Sequence, residues 1–246
     1  MLDDVFESLL DLKGPTMIPR QLEPEVMDTR EEAIDYNSMD HSEVNRAFAE
    51  EVLELVAARQ GSDDQRPVTL LDLGTGTALI PIAVCQRNSG IRVVATDLAV
   101  EMLKIAADNL LQAGLEHVIS LERVDAKQLA CSDQSFEGVI SNSLIHHIPE
   151  PGSVFREMVR VVKAGGFIFL RDLLRPDSQT ELERLVELYA GQANPRQRQL
   201  FHESLHAALT LSEVRAILKT CGLPPDAARI TSDRHWTVSL ILPDIL

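Results

Sequence analysis

The chain has 246 residues, 45% of them hydrophobic and 25% charged, which is enough apolar material to build a core and too much for a disordered chain. Its 38 acidic residues against 23 basic ones give a formal net charge of -15; this opposes docking on phosphate polymers or an anionic bilayer, so no nucleic-acid and no membrane partner is expected. Three widely separated cysteines, Cys85, Cys131 and Cys221, build neither a disulfide framework nor a zinc knuckle; with no cationic, apolar leader and no apolar run near the roughly 20 residues of a bilayer span, the expected location is cytoplasmic.

Residues 1–42 carry Pro15, Pro19 and Pro24 among carboxylates without sustained periodicity, and read as an irregular or partly helical arm ahead of a main domain over 43–246. From Glu43 onward, Val44, Ala47, Phe48, Val52, Leu55 and Val56 recur at helical spacing up to Gly61, with glutamates on the opposite face. Short apolar runs then alternate with helical stretches. Strands are expected over 68–72, 92–96, 119–124, 138–141 and 167–171. Helices fall between them, to about 86, over 101–113, and over about 153–163, where Gly165-Gly166 should stop the last. Such alternation marks a parallel sheet with helical crossovers, so the fold class is α/β and doubly wound.

Between about 176 and 209 the strand signals cease, and helical stretches near 181–190 and 196–208 read as an inserted cover. Arg196 and Arg198, the nearest approach to a basic patch, read as a solvated helix end. Thr210-Leu-Ser-Glu213 has capping-box spacing ahead of the Val214, Ile217, Leu218 stripe, with Gly222 placed to end that helix. A last strand is expected over 237–242.

The chemistry concentrates where strands end. Leu70-Leu-Asp72-Leu-Gly74-Thr75-Gly76-Thr-Ala78-Leu79 is a strand turning through glycines into a helix, where missing side chains let a ligand approach the backbone. Asp72, ahead of the glycines, would repel a pyrophosphate but attract the ammonium of an amino-acid-type cofactor. Leu79 also stands where a dinucleotide fingerprint wants glycine or alanine. Both features favour S-adenosylmethionine over a nicotinamide cofactor. The second strand ends at Asp97, whose two oxygens can accept from both ribose hydroxyls, with Leu98 and Met102 following as candidates to pack on adenine. The third ends at Asp125-Ala126, an acceptor for the adenine amino group beside a backbone that can face the ring edge.

Together these residues resemble a class I S-adenosylmethionine-dependent methyltransferase over roughly 43–242, with Asp72 to Gly76 as its first motif, Asp97 as the ribose acid and Asp125-Ala126 as the adenine motif. The fourth strand with Ser141-Asn142, the following Ser143-Leu-Ile-His146-His147-Ile-Pro-Glu-Pro151, and Lys163-Ala-Gly165-Gly166 extend the match toward the family's small-molecule branch. The resemblance implies Ser141, Asn142 and Ser143 at the cofactor, a Rossmann-like sheet of seven strands with the last antiparallel, and a small-molecule acceptor. Six strands are legible. Ala78 departs from the glycine often third in the loop, and Ala164 from a common proline; both changes read as sterically mild.

Methyl transfer is an in-line displacement that needs alignment and sometimes one base. His146 and His147, after the fourth strand, are the candidates for that base, because an imidazole titrates near neutrality; the same segment also reads as cofactor-loop structure. Tyr36, Asn37, His41 and Asn45 stand where one or two should touch the cofactor. Arg171-Asp172 and Arg175 read as internal ion pairs, or as recognition of an acceptor carboxylate. His202-Glu203-Ser-Leu-His206 has the spacing of a helical zinc site, with Glu213 or Asp226 as a third ligand, yet reads better as lining of the cover, so no metal is expected. Two alternatives are carried alongside methyl transfer: a nicotinamide-dependent oxidoreductase, and a non-catalytic cofactor-binding or partner module.

Overall fold

The apolar runs become Val68–Leu73 (β1), Ile91–Asp97 (β2), Ile119–Arg123 (β3), Phe136–Asn142 (β4) and Val162–Leu173 (β5), all parallel in one sheet. Ala228–Ser232 (β6) and His235–Ile241 (β7) complete it in the order β3-β2-β1-β4-β5-β7-β6. As the resemblance implies, there are seven strands, and β7 runs antiparallel to its neighbours β5 and β6. The strand missing from the sequence reading is β6. This computed structural model describes residues 17–26, 28–39, 41–59 and 66–244; Pro15 and the helix stop expected at Gly61 lie outside them.

The helices are Arg30–Ser38 (α1), Ser42–Arg59 (α2), Leu79–Arg87 (α3), Val100–Ala113 (α4), Gly152–Val161 (α5), Gln179–Ala190 (α6), Pro195–Ala207 (α7) and Leu211–Thr220 (α8). Successive strand residues point to opposite faces, so adjacent leucines of β1 enter different cores. Leu70 packs with Val93, Phe169, Phe48 and Val52 of α2, and Leu110 of α4. Leu71 and Leu73 pack with Val139, Leu170, Phe155 and Met158 of α5, and Leu218 of α8. Burial on both faces, at about 1.5–3 kcal/mol for each such side chain, is what covers a parallel sheet with helices.

Two expectations need adjustment. Helix α5 ends at Val161 rather than near residue 163: Val162 turns extended, with ψ 135, and pairs with Phe136. A β-branched run suits either structure, and the waiting partner strand decides. Gly165-Gly166 therefore stop no helix. They shape an excursion within β5, with Gly165 at φ +67 and Gly166 accepting from the Leu242 amide at 2.7 Å, before pairing resumes at Gly138 and Phe167. The capping box on α8 forms as expected, Thr210 and Glu213 bonding each other's amides, and Gly222 adopts φ +75 just past the helix end.

The described part of the N-terminal arm is held to the sheet's carboxyl-end rim. Ile18 enters an apolar cluster with Leu173, Leu182, Leu185 and Leu205, joining α6 and α7 to β5, while Ala33 and Tyr36 of α1 pack with Ala99 and Met102. Arg20 spans the seam, donating to the carbonyls of Ala207 at 2.7 Å, Ile148 at 3.0 Å, His146 at 3.1 Å and Pro149 at 3.2 Å. Carbonyls stripped of a charged donor lose more than a neutral bond's worth, so Arg20→Ala should destabilise the protein by about 1–2 kcal/mol. A urea midpoint unmoved by the substitution would show that the arm contributes nothing to the fold.

Candidate functional site

β1 and β4 are neighbours although β2 and β3 lie on the far side of β1, so the strand order reverses between them. Connections leave such a point in opposite directions and open a crevice at the carboxyl ends. Its empty volume is about 750 Å³, open solvent at the mouth included.

The glycine turn forms its floor. Gly74 and Gly76 take φ +69 and +55, and a Cβ on Gly74 would come within 2.8 Å of the Leu144 side chain. Bonds to neighbouring elements pin the turn, from Thr75 N to Thr96 O of β2 at 2.9 Å and from Asn109 Nδ2 of α4 to Thr77 O at 2.8 Å. Ala78, taken above as a mild change, also sits in the left-handed region at φ 62. That conformation costs an L-residue about 1–2 kcal/mol, and the methyl is fully buried, which offsets part of the strain.

Asp97 ends β2 in the crevice wall. Its Oδ2 accepts from Gly76 N at 2.8 Å and its Oδ1 from Ala99 N at 2.9 Å. Each oxygen keeps a lone pair for a further donor. Burial raises its pKa, and those backbone bonds offset the rise in part. Leu98, Met102, Ala126, Asn142 and Ser143 also line the crevice. Met102 is simultaneously packed into the α1–α4 contact, so its core and lining roles coincide. Ser143 holds φ 57, and such outliers off glycine cluster at functional sites. Asp125 is at the rim; burial pushes its pKa up, but the Lys127 amide at 2.9 Å and ammonium at 3.0 Å outweigh that and lower it.

Asp72, Thr75, Ser141 and His146 do not line the open crevice. Ser141 is buried and bonds Leu73 O at 2.8 Å, bracing β1 against β4. Asp72 lies beneath the turn, and its Oδ2 has no hydrogen-bond partner. Burial pushes its pKa up to about 7; the Thr75 hydroxyl lowers it and Asp97 raises it further. Of the four residues offered around the first helix, Tyr36 reaches the crevice. Its pKa is pushed up to about 12 by burial and by the two aspartates, so it stays a neutral phenol. Asn37 instead accepts from Asn109 at 2.9 Å.

The two histidines divide. His147 lines the crevice, and burial next to His146 pushes its pKa down to about 3. His146 is buried, with Nδ1 2.5 Å from Asp172 Oδ1; burial alone would lower its pKa, but Asp172 raises it. Asp172 also accepts from the amides of Ile145 at 2.5 Å and Leu173 at 2.6 Å. It forms no pair with Arg171, because neighbours on a strand face opposite ways: Arg171 pairs with Glu51 at 2.6 Å, and Arg175 with Glu213 at 2.7 Å. That last pair takes Glu213 away from His202 and His206, whose rings lie 5.1 Å apart. Arg196 faces Glu32 and Asp35, and Arg198 pairs with Glu187.

Glu25, Val26, Ala99, Val124, Leu144 and Ile148 line the crevice without having been singled out in the sequence. Glu25 pairs with Lys127 across 102 residues, a contact no local pattern carries. The residues present fit S-adenosylmethionine: an orphaned carboxylate oxygen under the turn for a cation, a floor open where Cβ atoms would intrude, and an Asp97 with spare acceptor capacity. Among the described residues no helix is long and apolar enough to cross a membrane.

A family model described as a methyltransferase domain matches residues 71–170. The chain is 29% identical over 171 residues to a 27-O-demethylrifamycin SV methyltransferase of Amycolatopsis mediterranei, covering 68% of this chain and 59% of that one. It is 26% identical over 193 residues to a demethylmenaquinone methyltransferase of Desulfitobacterium hafniense, covering 73% of each. Across such relatives the chain spans from 37% to 73% of their own length. In fold it is similar to a crystal structure described as an S-adenosyl-L-methionine-dependent methyltransferase from Methanococcus maripaludis, with a TM-score of 0.68 at 18% identity over 92% of this chain and 98% of that one.

Proposed function

We propose that this chain is a class I S-adenosylmethionine-dependent methyltransferase, a reading supported by the methyltransferase-domain match over residues 71–170, and that it moves the methyl group of S-adenosylmethionine to a small-molecule acceptor. The carrying observation is the crevice at the β1–β4 switch point, where Asp97 braces the glycine turn through Gly76 N and still has acceptors to offer a ribose. Asp72 and the turn hold the amino-acid part, Thr75 within it. Asp97 takes the ribose hydroxyls, Asp125 and Ala126 the adenine edge, and Leu98 and Met102 a face of the ring. Ser141 braces the strand beneath, and Asn142 and Ser143 close the wall toward the sulfur.

When bound, the cofactor supplies a methyl on a sulfonium, open to in-line displacement. The protein's part is alignment and exclusion of water. A histidine held near pKa 3 is a weak base, and His146 is engaged by Asp172, so His147 serves this reading better as wall, and His146 as support behind it, than as proton acceptors. Buried Asp72, whose charge the half-buried Asp97 disfavours further, speaks with it against a pyrophosphate and hence against a nicotinamide cofactor.

The described part of the arm (1–42) borders the cofactor crevice through Glu25, Val26 and Tyr36, and the two-helix cover (176–209) belongs, on this proposal, to the acceptor's side of the domain (43–246). The names of relatives acting on 27-O-demethylrifamycin SV and on demethylmenaquinone support a small-molecule acceptor. Free cysteines and an acidic surface support a cytoplasmic location. Incubation with S-adenosylmethionine and a panel of small phenols, alcohols and amines should release S-adenosylhomocysteine with at least one acceptor. Cofactor binding with no release across the panel would favour a non-catalytic module.

A further inference from the structure

Beside the cofactor crevice the arm brings a third donor to the two histidines. Glu23 Oε1 lies 3.2 Å from His147 Nδ1 and 3.4 Å from His146 Nε2, and the three atoms all fall within 4.8 Å of one another. Ligands about 2.0–2.1 Å from a tetrahedral zinc stand about 3.3–3.4 Å apart, the spacing of these two contacts. Two of the atoms, Glu23 Oε1 and His147 Nδ1, are buried without any hydrogen-bond partner, and the Glu23 side chain is only 7% exposed. The other carboxylate oxygen of Glu23 accepts from the Ser204 hydroxyl at 3.3 Å, which turns Oε1 toward the imidazoles.

The geometry points to a divalent transition-metal site of the zinc type, formed by Glu23, His146 and His147. Asp172 provides its outer support. Bonded to His146 Nδ1 at 2.5 Å and to three backbone amides, it fixes the tautomer that leaves Nε2 with its lone pair free, as carboxylates behind metal-binding histidines do. Two imidazoles and one carboxylate suit zinc and its neighbours rather than magnesium, which prefers oxygen. His147 also lines the crevice, so a fourth position there falls to water or to an oxygen of the acceptor. The sequence reading missed this cluster because Glu23 is more than 120 residues from the histidines and belongs to no spacing motif. The pair that did have such spacing, His202 and His206, has no third ligand within reach among the described residues.

The site is independent of the methyl-transfer proposal and is tested apart from it. The full-length chain, stripped with a chelator and titrated with Co²⁺, should take up about one equivalent with the visible absorption of a four-coordinate ion, displaced by Zn²⁺ and not by Mg²⁺. Calorimetry on the stripped protein should still show S-adenosylhomocysteine binding. Glu23→Gln and His147→Ala should each weaken Zn²⁺ binding at least about tenfold, while His202→Ala should leave it unchanged. No cobalt absorption from the wild-type chain would overturn the site, leaving a plain carboxyl–imidazole cluster. Loss of uptake in His202→Ala, with retention in Glu23→Gln, would overturn it equally by moving the ion to the other pair.

Discussion

Asp97→Ala should weaken cofactor binding by about 1–3 kcal/mol, roughly 5- to 150-fold, because a half-buried charged acceptor to two hydroxyls is lost. A second cost follows from the same carboxylate. It holds Gly76 N and Ala99 N, so its removal also leaves the glycine turn without its brace. Asp97→Asn keeps one acceptor oxygen and should fall between wild type and alanine. Calorimetry with S-adenosylhomocysteine on the three proteins measures the order. Equal affinities would remove Asp97 from the site, and a loss confined to thermal stability would reduce it to a structural role.

Asp72→Asn should move stability and binding in opposite directions. The carboxyl of Asp72 has a pKa of about 7 in the fold, against about 3.9 in an unfolded chain. Ionising it inside therefore costs stability: nothing below about pH 4, increasingly between pH 4 and 7, and a constant amount above, with a ceiling on the order of 4 kcal/mol. Asparagine avoids that cost. At pH 8 the cofactor-free variant should melt above the wild type by at least about 2–4 °C, a gain of about 1 kcal/mol or more, and the difference should vanish toward pH 4. The same substitution removes the anion that meets the cofactor's ammonium, so affinity should drop. Wild-type affinity should likewise fall as pH drops below about 7 and Asp72 takes up its proton. A variant no more stable than wild type at pH 8 would mean that Asp72 is not a strained, unpartnered group awaiting a cation.

The pairing of an unfavourable buried carboxylate with an intact binding site is the stability–function conflict expected where a charge is kept for a ligand. Its sequence trace was direct: an acid followed by glycines at the end of an apolar strand. The strands β1, β2 and β4 were legible for the same reason, being buried on both faces and therefore apolar along most of their length. β6 was not. Only Ala228 of its five residues is fully buried, and Arg229, Ile230 and Thr231 face solvent, so an edge strand left neither an apolar run nor a clean alternation.

What local patterns could not carry was the meeting of distant segments. Glu25 and Val26 come to the crevice rim, and Arg20 and Glu23 to the histidine segment behind it, from an arm whose sequence shows proline and carboxylates but no period. Their contacts reach 126 and more residues along the chain for Arg20, and 102 for Glu25. The reading of Arg171-Asp172 named ionic residues that are indeed ion-paired, yet each with a partner on its own side of the sheet. Alternation of side chains along a strand would have excluded their mutual pairing before any coordinates were known. The strain at Ala78 was hidden for a different reason: alanine is compact, and its cost lies in the sign of φ rather than in volume.

A crystal grown with S-adenosylhomocysteine at pH 7.5 should show the ribose hydroxyls on Asp97, the adenine between Met102 and the Asp125-Ala126 corner, and the ammonium group drawn toward Asp72 over the glycine turn. Nucleoside density elsewhere on the molecule, or in this crevice with Asp97 untouched, would contradict that binding mode.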